Sequence, residues 1–218
     1  MIRLVNLSKS YFTNGVRKTV LQNVNLTFPT GRSVALLGRN GAGKSTLLRM
    51  ISGTLAPTGG RIEVTGSISW PVGFMGSFHP DLTGAQNTRF VARVYGVDSD
   101  ELCDFASDFA QLGRQFHAPF RTYSTGMRSR LAFGVSMGIS FDTYLVDEVT
   151  AAGDASFRER STSLFRQRMA QAGAVMVSHS MSQVRELCNA ACVLDQGSIL
   201  WFEDVEEAIA HHEDNMLG

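Results

Sequence analysis

Nine consecutive residues constrain this chain more than any others: Gly38-Arg39-Asn40-Gly41-Ala42-Gly43-Lys44-Ser45-Thr46. The apolar run Ser33 to Leu37 precedes them and reads as a buried strand, and Leu47 to Ile51 follows with the composition of a helix. Strand, Gly-x4-Gly-Lys-Ser and helix, in that order, form the P-loop arrangement. Gly38, Gly41 and Gly43 allow the tight turn and keep Cβ atoms out of the way of an approaching phosphate. The backbone N–H groups of the stretch, Asn40 and Thr46 included, then line a nest for phosphate oxygens at the positive end of the helix. Lys44 is placed to reach the β- and γ-phosphates, and the Ser45 hydroxyl to serve as a ligand of Mg²⁺.

Composition narrows the classes of protein that can carry this loop. Hydrophobic residues make up 44% of the 218 residues and charged residues 18%, which supports a large core and argues against disorder. Twenty basic residues balance twenty acidic ones, so there is no electrostatic footprint for nucleic acid. The start, Met1 to Val5, runs straight into a strand pattern without a signal-peptide layout. No apolar stretch approaches the ~18 residues needed to span a bilayer. These features predict a soluble cytoplasmic protein whose membrane association comes through a partner. Cys103, Cys188 and Cys192 form no paired framework. Cys188 and Cys192, four apart, could share a helix face; two thiols alone make a poor metal site, and buried packing is the better reading.

Along the chain, residues 2–7 read as a strand and Leu21 to Phe28 as a half-buried one. After the P-loop helix, Gly53 to Gly60 is a turn cluster, followed by strands over Arg61–Val64 and Ser67–Trp70. Residues 71–84 form a loop rich in glycine, proline and aromatics, which reads as either a hydrophobic anchor for a partner or a folded-back lid, the partner being favoured. From Ala85 to about Gly138 the pattern is helical: Asn87–Tyr95, Asp98–Leu112, and a third helix from Thr125. This block, about 85–138, reads as a subdomain inserted into a single domain that spans 1–218. Then come a strand ending in Asp147 and Glu148, a helix over 155–171, and a strand leading to His179. A short helix from Met181, a hairpin across Gln196-Gly197 and an acidic helix over 203–213 complete the pattern.

In parallel α/β sheets, ligands sit beyond the carboxyl ends of strands. Three strands end there in groups suited to a nucleoside triphosphate: the P-loop, Asp147-Glu148, and His179. Asp147 suits Mg²⁺, which prefers carboxylate and water oxygens. Glu148 is the candidate to polarise the attacking water, and His179 to touch the γ-phosphate and hold that water in line. Taken singly, Asp-Glu reads as a helix cap and His179 as a structural histidine; their common position favours chemistry. Tyr11, taken alone, is a packing residue or an aromatic able to stack on a base. Ser124 and Gly126, within Tyr123-Ser124-Thr125-Gly126-Met127, open a helix and form a second anion-binding feature. They lie far from the P-loop in sequence; a single protomer need not bring the two together, but a head-to-tail dimer could.

The order of Gly38–Thr46, Tyr123–Gly126, Leu145–Glu148 and His179 resembles that of ABC ATPase nucleotide-binding domains, over essentially the whole chain. The resemblance implies an α/β P-loop NTPase with a RecA-like core, an N-terminal antiparallel β subdomain and an inserted helical subdomain. It further implies a homodimer that sandwiches ATP and Mg²⁺ between one P-loop and the partner's Ser124–Gly126 segment, with Tyr11 stacked on adenine. Asp154 falls where the family has its dimer contact. The stretches Gly-Arg-Asn-Gly-Ala-Gly-Lys-Ser-Thr, Gly-Ser-Phe-His-Pro-Asp-Leu-Thr-Gly-Ala-Gln-Asn and Tyr-Ser-Thr-Gly-Met look like those of bacterial polysaccharide exporters. Without a long extension after residue 218, the chain resembles the capsular branch, which works with a separate permease at the cytoplasmic face of the inner membrane.

Two departures stand out. The signature carries Thr125 and Met127 where glycine and glutamine are usual. The loop before Leu82-Thr83 lacks its usual glutamine, having Phe74, Met75 and Gly76, and Gln86 lies on the wrong side to replace it. Trp70, Phe74, Met75 and Phe78 are the expected permease anchors. The competing readings are an ABC ATPase serving a lipid, drug or nutrient, and a non-transport ABC ATPase; the neutral charge and single cassette count against the second.

Overall fold

The computed structural model describes residues 1–13, 15–147 and 155–217. It opens with strands β1 (Ile2–Thr13), β2 (Val16–Phe28) and β3 (Ser33–Leu37), then helix α1 (Lys44–Ile51). Strands β4 (Gly59–Val64) and β5 (Ile68–Pro71) lead to helices α2 (Gly84–Tyr95), α3 (Ser99–Ala110) and α4 (Thr125–Gly138). Strand β6 (Thr143–Asp147), helix α5 (Ala155–Gln171), strand β7 (Gly173–Val177) and helix α6 (Met181–Leu187) follow. Strands β8 (Ala190–Asp195) and β9 (Ser198–Phe202) form a hairpin, and helix α7 (Val205–Leu217) is the last element.

These elements fall into two compact units, the first comprising residues 1–71, 141–147 and 169–217. It holds an antiparallel sheet, β2-β1-β4, and a six-stranded sheet, β5-β6-β7-β3-β8-β9, parallel except for β9. Every residue of β3 and β7 is buried. Such strands read as unbroken apolar runs because both faces of a parallel sheet are covered. The core joins Leu36, Leu47, Leu145, Val175 and Cys192 to Leu4 and Leu21 of the antiparallel sheet. The hairpin turn places Gln196 at φ 44° and Gly197 at φ 82°, the two positive angles of a type I′ turn.

β1 runs to Thr13, well past the residue 7 expected from its alternation. Its polar stretch stays in the ladder because the hydroxyls find partners across the strand pair. Ser8 Oγ accepts from Asn23 N at 2.9 Å, and Ser10 Oγ lies 3.1 Å from Thr19 Oγ1. Tyr11 is thereby paired with Lys18.

The second unit comprises residues 72–140 and 155–168. Thr83 and Gln86 form a reciprocal capping box at the start of α2, and Gly96 ends it in the left-handed conformation. Asp98 caps α3, accepting from Asp100 N and Glu101 N at 2.9 Å each. Phe109 joins the helices: its ring lies 5.9 Å from Phe105, 5.7 Å from Phe133 and 5.4 Å from Phe157. The Arg160 guanidinium sits 5.7 Å from the same ring. The helical block is therefore wider than the 85–138 expected, because Phe157 and Arg160 tie α5 into it.

Candidate functional site

Steric need explains the glycines of the P-loop. A Cβ on Gly38, at φ 148°, would stand 2.5 Å from the Leu194 carbonyl oxygen. One on Gly43, at φ 113°, would stand 2.2 Å from Val20 Cγ1. The loop is thus wedged between β2 and β8, with no room for a side chain at either point. Lys44 is buried, and its ammonium donates to Gly38 O at 2.6 Å and to Arg39 O at 3.1 Å. These bonds fold the side chain back over the loop, where a phosphate accepted by the N–H groups of the first turn of α1 would meet it.

The loop forms one wall of a cavity of about 340 Å³, lined by Tyr11, Lys18, Val20, Asn40, Gly41, Gly43, Lys44, Ser45, Thr46, Val177 and His179. A small ligand fits such a volume. The Tyr11 hydroxyl lies 3.4 Å from Thr46 Oγ1, and the Lys9 ammonium sits 5.2 Å from the Tyr11 ring centroid. Ser45 Oγ donates to Asp147 Oδ1 at 3.4 Å, so α1 and β6 place a hydroxyl and a carboxylate side by side. Hard oxygen donors of this kind fit Mg²⁺ with phosphate and water completing its shell. His179 follows β7 in a turn shaped by Ser178, whose hydroxyl donates to Gln183 Oε1 at 3.0 Å and accepts from Ser180 N at 3.1 Å. Glu148 and Asp154 lie outside the described residues.

In the helical unit, Ser124 is exposed and caps α4 by accepting from Met127 N at 3.3 Å. Gly126 lies in the first turn, with open space where a Cβ would stand. Tyr123 anchors the segment: it is 4% exposed, and its hydroxyl donates to Gln115 O at 2.6 Å. Burial holds the Tyr123 phenol above its ordinary pKa.

Three sequence expectations change. Phe78 is buried, its ring 5.1 Å from Phe120, so it is a core residue rather than an exposed anchor. Trp70 is half-buried in β5 with its ring 5.7 Å from Phe141, whereas Phe74 is exposed and Met75 partly so. Cys188 and Cys192 share no helix: Cys188 ends α6 and Cys192 lies in β8. Burial pushes the Cys188 thiol up to about 12. Gln86 is committed to the cap of α2, its Oε1 accepting from Thr83 N at 2.9 Å.

Sequence reasoning missed Lys18 and Val20 in the cavity wall, and it missed Asn87. That buried amide accepts from His79 N at 2.7 Å and donates to the carbonyls of His79, Leu82 and Thr83. It holds the end of the 71–84 loop against α2. An asparagine within an apolar helical pattern was the available signal.

The ABC transporter family model matches residues 21–151. The polysialic acid transport ATP-binding protein KpsT of Escherichia coli is 47% identical, over 98% of this chain and 96% of its own. The capsule polysaccharide export ATP-binding protein CtrD of Neisseria meningitidis is 42% identical, over 97% and 98%. The dimeric ATP-binding cassette MJ0796, bound to ADP and Pi after hydrolysis, superposes with a TM-score of 0.76 at 21% identity, over 94% and 99%. The P-loop wedged between β2 and β8, the carboxylate of β6 beside Ser45 and the matches in sequence agree: the chain belongs to the ABC transporter ATP-binding family.

Proposed function

We propose that this chain is the ATP-hydrolysing subunit that powers export of a capsular polysaccharide through a separate membrane permease. The convergence of Tyr11, the P-loop, Asp147 and His179 on one side of a parallel sheet carries the ATPase part of the reading. Its likeness to the named capsule and polysialic acid proteins supports the substrate. No helix among the described residues is long and apolar enough to cross a membrane, so attachment to the inner membrane is assigned to the permease.

Tyr11 stacks on the adenine ring and the P-loop amides hold the phosphates. Lys44 gives up its carbonyl partners for phosphate oxygens, exchanging neutral acceptors for charged ones. Ser45 and Asp147 would hold Mg²⁺, which would supply positive charge against the triphosphate. Glu148 accepts a proton from the attacking water, and His179 keeps that water in line. A second copy supplies Ser124 and Gly126 to each nucleotide, so two chains enclose two ATP molecules and reopen after hydrolysis. Phe74 and Met75 offer the permease an apolar contact.

The test is Glu148→Gln. The amide keeps the shape of the side chain but cannot accept the proton. ATP binding and ATP-dependent dimerisation, read by calorimetry and size-exclusion chromatography, should persist while turnover falls by roughly 100-fold or more. Near-wild-type turnover would remove Glu148 as the base.

A further inference from the structure

The chain's only lysines are Lys9, Lys18 and Lys44; its other strongly basic side chains are all arginines. Lys18 and Lys44 line the cavity, whereas Lys9 does not. Lys9 is nonetheless buried, at 9% exposure. Its ammonium donates to Ala56 O at 2.7 Å and lies over the Tyr11 ring, 5.2 Å from the centroid. Among the described residues no carboxylate pairs with it. Burying an ammonium in such surroundings is costly. A methionine of similar length would fill the space without that cost, so packing does not explain the lysine.

The segment after α1 does not depend on Lys9 either, because it is fastened to β1 on both sides of that residue. Thr58 N and Thr58 Oγ1 donate to Ser8 O at 2.9 and 3.0 Å, and Ser10 N donates to Thr58 Oγ1 at 2.9 Å. Ala56 O is thus a fixed acceptor that pins the ammonium in place. What the charge adds is a hold on the ring, since a cation is drawn to the negative face of the π system. Tyr11 is 38% exposed, and its hydroxyl has a long contact of 3.4 Å with Thr46 Oγ1, so little else fixes the plane of the ring. Lys9 lies over the ring yet takes no part in the cavity wall, which places it on the side of the ring away from the cavity. The other face is left to the cavity.

We propose that Lys9 is a positioning residue for nucleotide binding: its ammonium, anchored on Ala56 O, holds the Tyr11 ring from behind, so that the open face is set before the base arrives. The inference rests on reading the cavity as the ATP site and Tyr11 as its base-stacking ring. A ring that is already fixed loses less freedom when a base stacks on it, so the charge raises affinity without touching the nucleotide. Lys18, the register partner of Tyr11, differs in being exposed and lining the cavity itself.

A double-mutant cycle on ATP affinity tests this, read by calorimetry in EDTA, which blocks turnover. Lys9→Met keeps the length of the side chain and loses the charge, and should weaken ATP binding about threefold. Lys9→Arg keeps a cation able to lie over the ring and should bind within about twofold of wild type. On a Tyr11→Ala background, itself weaker than wild type, adding Lys9→Met should cost nothing further. Wild-type affinity in Lys9→Met would overturn the positioning role. So would a loss that recurs in full on the Tyr11→Ala background, because the charge would then act on the triphosphate or on α1 rather than through the ring. Tyr11→Ala binding as wild type does would overturn the base-stacking reading and this inference with it, while absence of ATP binding to the wild type would overturn the site itself. Melting temperatures are recorded alongside; where Lys9→Met is too unstable to titrate, Lys9→Gln against Lys9→Arg gives the same comparison of a lost with a kept charge.

Discussion

The strand-rich unit and the helical unit present their working groups by opposite means. In the first, the phosphate loop is defined by missing atoms: Gly38 faces the Leu194 carbonyl and Gly43 faces Val20 where no methyl fits. In the second, the segment of Ser124 stands on packed atoms, with Tyr123 buried beneath it and Phe109 stacked on Phe105 and Phe133 and edge-on to Phe157. A loop that grips phosphate with its backbone must keep that backbone bare, whereas a segment that only offers a hydroxyl and an amide needs a rigid base. The two units should therefore fail under opposite substitutions, one when atoms are added and the other when they are taken away.

The largest effect tests the packed base. Phe109→Ala deletes a ring with 9% exposure that α3, α4 and α5 share, and leaves the Arg160 guanidinium without that partner. Urea denaturation should show a loss of about 3–5 kcal/mol. Binding of a fluorescent ATP analogue at 25 °C should be little changed, because Phe109 belongs to the helical unit and the cavity to the other. A fall in nucleotide affinity as large as the fall in stability would erase the contrast between the units.

A matched pair of glycine substitutions comes next. Gly38→Ala sets a methyl against a backbone carbonyl at 2.5 Å, in a conformation that L-residues avoid. The loop must shift, at about 1–3 kcal/mol, and ATP affinity should drop by roughly 10- to 100-fold. Gly138→Ala in α4 meets Leu102 Cδ1 at 2.5 Å and Phe105 Cδ1 at 2.8 Å, both ends of side chains that can turn aside. Its better helix propensity offsets that repacking by about 1 kcal/mol, so both stability and ATP binding should stay near wild type. Similar losses of ATP affinity from the two would show that crowding alone, rather than contact with backbone, disables the loop.

What the sequence made legible follows the range of the interaction. Local signals read well: the apolar run of β3 and the Gln196-Gly197 turn each depend on residues within a few positions. The placing of Asp147 and His179 beside the P-loop was also legible, because the carboxyl edge of a parallel sheet is a place known from topology alone. Long-range partners were not. Phe78 looks like an exposed aromatic until Phe120, far along the chain, covers it. The length of β1 depends on hydroxyls paired across to β2. α5 joins the helical unit through Phe157 and Arg160, which its own pattern does not announce. Lys18 enters the cavity only because the register of β1 and β2 sets it opposite Tyr11.

The smallest effect concerns Tyr11, whose phenol ring lines the cavity. It is 38% exposed and its hydroxyl touches Thr46 Oγ1 at 3.4 Å, so it adds little to the fold. Tyr11→Ala should leave the melting temperature unchanged and weaken ATP binding by about 1 kcal/mol, roughly fivefold, the scale of a single aromatic stack. Tyr11→Phe keeps the ring and should bind ATP as wild type does. If Tyr11→Phe were as weak as Tyr11→Ala, the hydroxyl contact with Thr46 rather than the ring face would be what matters, and Tyr11 would act on the P-loop instead of on the base. That outcome would move Tyr11 from the face-offering groups to the group of residues, with Val20 and Leu194, that shape the loop from outside.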